Sequence, residues 1–247
     1  MSRISIELVP RNKEVLLKEL QVVQKEFPNI KTVNIPDITR LPVRSWDACK
    51  EAKKYVESSI PHIRSIDFSM DKPQEILDVV ASCQLSEVLI VSGDPPQDLS
   101  RKVYRTSPTQ LTRFLKTELP ELKVYGAIDP YWSGLKAELD YVQKKIDSGV
   151  DAFFTQPFFD IKFMEIYSEQ LNGYDVYWGV SPVMGERSKS YWENSNNAFF
   201  PKDFQPTLDW NRGFAEKALQ FARENGDNIY FMPIKTGISE YLSGILN

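Results

Sequence analysis

Three short stretches carry side chains whose types and spacing could do chemistry. The first is Arg3-Ile4-Ser5-Ile6-Glu7-Leu8-Val9. Strand alternation puts Ile4, Ile6 and Leu8 on one face and Ser5 and Glu7 on the other. With the apolar face packed on helices, Glu7 points inward, where desolvation disfavours its charged form and raises its pKa. A carboxyl in that state is a competent general acid near neutral pH. The plainer alternative is a buried glutamate held in a salt bridge. The second stretch is Leu89-Ile90-Val91-Ser92-Gly93-Asp94-Pro95-Pro96. Gly93 lets a ligand approach the backbone, Asp94 lies just beyond, and the prolines stiffen the loop. A Gly-Asp-Pro turn is common and weak as a motif. The third runs from Lys144 to Asp160. A helical tail ends at Gly149, a short strand Ala152–Phe154 follows, and Thr155-Gln156 leads into Phe158-Phe159-Asp160. An amide beyond the carboxyl end of a parallel strand is a candidate ligand contact.

Other strand ends contribute polar groups. Asn34 closes a second strand, and a third carries Pro61-His62-Ile63-Arg64-Ser65-Ile66-Asp67. A lone histidine in such a place is usually a satisfied core group, and Arg64 with Asp67 could form a structural ion pair. The fifth strand ends in Asp129-Pro130-Tyr131-Trp132, the seventh in Ser181-Pro182, the eighth in Pro233-Ile234-Lys235-Thr236. His62 is the only histidine, so a multi-histidine metal site is excluded and no metal is expected. No G-x-G-x-x-G or P-loop pattern occurs, which argues against a Rossmann or Walker phosphate cradle.

The elements that position these groups alternate along the chain. Strands are expected at Ile4–Val9, Thr32–Ile35, His62–Ile66, Glu87–Val91, Lys123–Ala127, Ala152–Phe154, Val176–Val180 and Ile229–Met232. Between them lie helical patterns over Lys13–Phe27, Trp46–Ser58, Pro73–Cys83, Pro108–Leu119, Leu135–Ser148, Ile161–Leu171 and Leu208–Asn225, with a short last helix over Ser239–Leu246. Leu139, Val142 and Ile146 show the three-and-four spacing of an amphipathic helix. Ser107-Pro108 is a start signal, and Gly149 and Gly226 are stop signals. Eight strand–helix units imply a parallel sheet, and eight is the count that closes an α/β barrel, a (βα)8 TIM barrel in one domain over residues 1–247. Gly185–Pro206 is polar and aromatic with weak periodicity, and is expected to be irregular: a loop over the site or a plain surface excursion.

Bulk composition bounds the partners. Of 247 residues, 42% are apolar, enough for a large core. The 30 basic and 34 acidic side chains give a net charge of −4, which supports neither nucleic acid nor an anionic membrane surface as a partner. Cys49 and Cys83 are the only cysteines and form no C-x-x-C pair, so reduced thiols are expected. The amino terminus lacks signal-peptide character and no run reaches membrane-span length. A soluble cytoplasmic protein is the expectation; a homo-oligomer is compatible with it.

Several of these motifs, in order, resemble the methylenetetrahydrofolate reductase family. Ile6-Glu7-Leu8-Val9-Pro10 is similar to the family's S-F-E-F-F-P-P, and Pro61–Asp67 to its P-H-L-T-C-x-D. Ser92–Pro96 is similar to R-G-D-x-P, and Gly179-Val180-Ser181-Pro182-Val183 to G-I-x-P-V. The most specific match is Glu138 to Asp160, against D-L-x-x-L-K-x-K-V-D-A-G-A-x-x-x-I-T-Q-F-F-F-D. The resemblance implies a (βα)8 barrel that uses FAD to pass a hydride from NAD(P)H to methylenetetrahydrofolate. It implies Glu7 as proton donor, Asp94 as the acidic residue between flavin and folate, and Gln156 as the amide that holds the pterin. Lys235 falls near a position that faces the substrate. Asn34, His62, Ser92, Gly93, Asp94, Glu138 and Lys145 fall on positions toward FAD.

The sequence departs from the family in places. Ser92 stands where the family has arginine, Glu138 replaces an aspartate, and Ile128–Ser133 replaces a flavin-holding Y-P-E-x-H-P. Three alternatives therefore stay open: a flavin-free nicotinamide-dependent reductase, a folate-binding or methyl-transferring subunit without hydride chemistry, and a Schiff-base lyase using Lys235. The last needs a desolvated lysine.

Overall fold

A computed structural model describes residues 2–95 and 102–246; Pro96, at the end of the Gly-Asp-Pro-Pro turn, lies outside them. Eight strands alternate with helices: β1 (Ile4–Glu7), β2 (Thr32–Ile35), β3 (Ser58–Arg64), β4 (Glu87–Val91), β5 (Lys123–Ile128), β6 (Ala152–Pro157), β7 (Val176–Val180) and β8 (Asn228–Phe231). The helices are α1 (Lys13–Glu26), α2 (Ser45–Ala52), α3 (Gln74–Ser82), α4 (Pro108–Glu118), α5 (Leu135–Ile146), α6 (Ile161–Gln170), α7 (Glu186–Asn196), α8 (Leu208–Asn225) and α9 (Ile238–Leu242). The strands pair in chain order, all parallel, and β1 closes on β8. This is a (βα)8 TIM barrel.

Alternation sorts the side chains into two sets. Ile6, Val33, Ile63, Val88, Ile90, Val124, Phe153, Trp178, Ile229 and Phe231 pack outward on the helices. Ile60, Leu89, Tyr125, Phe154, Tyr177, Tyr230 and Met232 fill the barrel. Phe154 and Tyr177 stack at 4.1 Å.

The amino-terminal end of the barrel carries a polar seal. Arg3 binds Glu87 through two nitrogens at 2.6 and 2.9 Å, and also reaches Thr32 and Tyr177. Ser58 and Tyr125 donate to the same carboxylate. Burial alone would raise the Glu87 pKa; the bonds from Arg3, Ser58 and Tyr125 together outweigh it and hold the carboxyl at about 2.

Local signals explain most element ends. Ser107 makes a capping box with Gln110, with Pro108 at the first helical position. Gly226 ends α8 in the left-handed conformation. Three expectations need correction. The helical pattern over Trp46–Ser58 stops at Ala52, and β3 begins six residues later, at Ser58. Ser58 and Ser59 look like a polar helix tail, but their hydroxyls bond Glu87 and the Cys49 carbonyl. Strand β6 runs on through Gln156 to Pro157. The Gly185–Pro206 segment contains the 11-residue helix α7. Only Trp192 of that helix is buried, so it shows little apolar periodicity. Among the described residues no helix is long and apolar enough to cross a membrane, and no three His, Cys, Asp or Glu side chains cluster as a metal site would.

Candidate functional site

The carboxyl ends of the strands gather the polar groups. Glu7 and Asn34 are register partners on β1 and β2, both turned into the barrel. Ser5 donates to Asn34 Oδ1 at 2.7 Å, which fixes the amide with Nδ2 toward the mouth. That nitrogen donates to Glu7 Oε2 at 3.0 Å and approaches His62 Nε2 at 3.1 Å. With Nδ2 as donor, His62 Nε2 is the acceptor and its ring proton is assigned to Nδ1.

Burial sets the protonation of this trio. It raises the Glu7 pKa, the Asn34 bond pulls it partly back, and the result is about 7. Burial lowers His62 to about 3, so its imidazole is neutral. The 3.9 Å approach of His62 to Glu7 is therefore not an ion pair near neutral pH, and the available proton sits on the carboxyl. A buried, neutral acid at a strand's carboxyl end can deliver a proton to a ligand in the mouth. The inward placement of Glu7 follows the alternation of its strand, and among the described residues no salt bridge to a lysine or arginine holds it.

Gln156 lies near the carboxyl end of β6, and it is exposed while its neighbours Thr155 and Pro157 are buried. The pairing of β6 with β7 is irregular between Phe154 and Pro157. There Thr155 Oγ1 accepts from the Gly179 amide at 2.9 Å, and Tyr230 donates its hydroxyl proton to the Thr155 carbonyl. These contacts lock the backbone that carries Gln156.

At the end of β4, Ser92 and Asp94 are exposed. Gly93 has φ +82°, and a Cβ there would lie 2.9 Å from Arg64 Cβ and Nε. The close approach that glycine permits is thus made by Arg64. Arg64 and Asp67 do pair, at 3.5 Å.

Glu138 and Lys145 sit elsewhere. Both are buried on α5, behind β5, 3.5 Å from each other. Lys145 also donates to the Ala127 carbonyl and lies over the Tyr141 ring, and Glu138 accepts from the Asp129 amide. Burial raises Glu138 and lowers Lys145, so desolvation outweighs their mutual attraction. Their neighbour Asp129, at the end of β5, is also raised by burial. Asp129 carries no role in the sequence patterns; a carboxylate directly after an apolar strand is the signal that marks it. Lys235 is exposed beyond β8, with its ammonium 5.9 Å from the Tyr191 ring, so it lacks the desolvation a Schiff-base nucleophile needs.

An aromatic wall stands over the β5–β6 side. Tyr131 stacks on Phe159, Trp192 of α7 meets Phe159 edge-on at 5.4 Å, and Phe200 packs on Phe159 at 4.6 Å. Phe199 packs on Phe163 at 4.9 Å and stays 46% exposed. Outside this wall, an open groove of about 740 Å³ runs between α6 and α8. It is lined by none of Glu7, Asn34, His62, Asp94 or Gln156.

The sequence model of the methylenetetrahydrofolate reductase family matches residues 13–211. That stretch includes Asp94 and Gln156 and leaves Glu7 and Lys235 outside. Among solved structures, an uncharacterized protein from Clostridium thermocellum that binds two copies of 5-methyl-5,6,7,8-tetrahydrofolic acid superposes with a TM-score of 0.63, at 14% identity over 98% of this chain and 93% of that one. The catalytic domain of a hyperthermophilic chitinase from Pyrococcus furiosus gives 0.60, at 11% identity over 95% and 85%. Oxaloacetate acetylhydrolase gives 0.60, at 9% identity over 94% and 75%. At these identities the structural likeness is one of fold.

Proposed function

The chain belongs to the methylenetetrahydrofolate reductase family, and from that premise we propose that its barrel mouth binds a reduced folate and converts 5,10-methylenetetrahydrofolate to 5-methyltetrahydrofolate with hydride from NAD(P)H. The observation that carries this reading is Glu7: a largely buried carboxyl, its side chain 11% exposed, with its pKa raised to about 7 and hydrogen-bonded to Asn34 at the carboxyl end of β1.

The chemistry needs that acid. Opening the five-membered ring of the folate requires a proton on one of its two nitrogens. Glu7 supplies it, the carbon–nitrogen bond breaks, and an iminium cation remains on the other nitrogen. A hydride from the nicotinamide then reduces the iminium carbon to a methyl group, and NAD(P)⁺ leaves. The proton stays on the opened amine, and Glu7 regains one from water. Asp94, exposed after β4, offers a carboxylate to the passing cation. Gln156 offers both an amide N–H and a carbonyl to the pterin edge. A protein of similar fold binds 5-methyl-5,6,7,8-tetrahydrofolic acid, which supports the ligand class.

The residues that the family likeness assigns to FAD do not fit that group well here. Glu138 and Lys145 neutralise each other behind β5, Asn34 and His62 bond beneath Glu7, and the open side of Gly93 is filled by Arg64. The nicotinamide is therefore assigned as direct hydride donor.

The test is NAD(P)H oxidation by the purified protein with methylenetetrahydrofolate, together with its visible spectrum before and after added FAD. Turnover without a flavin band supports the reading. Folate binding without NAD(P)H oxidation under any cofactor condition would replace it with a binding subunit.

A further inference from the structure

We propose that Arg64 is a positioning residue: it sets where Asp94 presents its carboxylate, and does so from the neighbouring strand. The inference rests on the reading of Asp94 as a folate-facing group. Arg64 is 5% exposed, at the end of β3, and its Nη2 donates to the Asp94 carbonyl at 2.5 Å. Among the described residues no other hydrogen bond reaches the backbone of Gly93–Pro95. The stem of Arg64 lies against Gly93, whose positive φ and missing Cβ are what admit it.

Arg64 is itself held. Its Nε faces Asp67 Oδ1 at 3.5 Å without hydrogen-bond alignment, so the attraction is electrostatic. Asp67 takes Arg44 at 2.6 Å, and Arg44 grips Asp37 through two nitrogens at 3.0 and 2.6 Å. Asp37 in turn accepts from the Ser45 amide at the start of α2. The turn after Arg64 also pins the β4 loop on both sides. The Ile66 amide donates to the Ser92 carbonyl, and the Tyr104 amide donates to the Ile66 carbonyl. Among the described residues the Asp94 backbone is thus tied to this frame by one guanidinium. Removing that guanidinium takes away the tie while leaving the Asp94 side chain chemically intact.

Calorimetric titration of 5-methyltetrahydrofolate into the full chain tests this, with wild type, Arg64→Ala, Arg64→Lys, Asp94→Asn and the Arg64→Ala/Asp94→Asn double variant. Thermal unfolding is followed in parallel. Arg64→Ala is expected to weaken binding about 2- to 30-fold, the range for residues that act through a neighbour. Arg64→Lys, which can still donate to the carbonyl, should recover part of the loss. In the Asp94→Asn background, Arg64→Ala should cost no further affinity, because the group it positions is already gone. Losses that multiply in the double variant would overturn the inference, as would wild-type affinity in Arg64→Ala alongside a weakened Asp94→Asn. Wild-type affinity in Asp94→Asn would instead bring down the reading of Asp94, and the inference with it. If Arg64→Ala does not fold, Arg64→Met, which keeps a stem against Gly93 but has no donor for the Asp94 carbonyl, takes its place in the cycle.

Discussion

The carboxyl of Glu7 and the imidazole of His62 approach to 3.9 Å and yet, between about pH 3 and pH 7, neither carries a charge. Burial drives both results, by taking the charged form of each group out of water. Asn34 satisfies both neutral partners through one amide nitrogen. The arrangement stores a proton on the carboxyl rather than on the ring.

Glu7→Gln is expected to lower methylenetetrahydrofolate reduction by about 10²- to 10⁴-fold, the usual contribution of a positioned acid. Wild-type turnover should fall as pH rises through 7, as Glu7 loses its proton. The residual rate of the variant should lack that limb. Steady-state NAD(P)H oxidation from pH 5.5 to 8.5 measures both, and an unchanged profile would remove Glu7 from the reaction.

The same substitution should change stability in a pH-dependent way. The native Glu7 pKa, about 7, is above its ordinary 4.5, so the folded chain binds more protons than the unfolded chain between those values. Its contribution is therefore complete below pH 4.5 and lost as pH rises through 7. His62 runs the other way: lowered from 6.5 to about 3, it contributes fully above pH 6.5 and loses this as pH falls toward 3. At pH 8, Glu7→Gln should gain up to about 3 kcal/mol over wild type. Its stability should also rise with pH between 4.5 and 6.5, where the two wild-type groups oppose each other. Urea unfolding at pH 5, 6.5 and 8 tests the sign.

Gln156→Ala should weaken folate binding roughly 2- to 10-fold, the worth of one or two hydrogen bonds. Nicotinamide affinity should hold, since the amide is assigned to the pterin. An equal loss for both ligands in parallel titrations would contradict that assignment.

Two glycines give opposite expectations. A Cβ at Gly179 would lie 2.7 Å from the Thr155 carbonyl oxygen and 3.0 Å from Tyr230, so Gly179→Ala should destabilise by about 1–3 kcal/mol. It should also disturb the strand that carries Gln156. Gly213, inside α8, meets nothing within 4 Å, and Gly213→Ala should stabilise by about 0.5–1 kcal/mol. Thermal unfolding of both variants checks the pair.

Much of the barrel was legible because alternation and helical spacing report burial directly. Glu7 is the clearest case: four residues of β1 suffice to turn it inward. Helix α7 was hidden because a helix with one buried side chain leaves almost no pattern. The start of β3 was hidden because its first two residues are serines, one turned into the barrel and one toward α2, bonded to groups 29 and 10 positions away. Arg64 shows the wider limit. Its residue type suggested an ion pair with Asp67, and one exists. Its second contact, to a carbonyl 30 residues on, depends on β3 and β4 lying side by side and on a glycine at 93. No local pattern encodes such a meeting.

The seal around Arg3 and Glu87 closes the far end of the barrel. Above it the barrel is filled by packed side chains. The two ends therefore do not communicate, and a ligand that binds at the mouth enters and leaves on the same side.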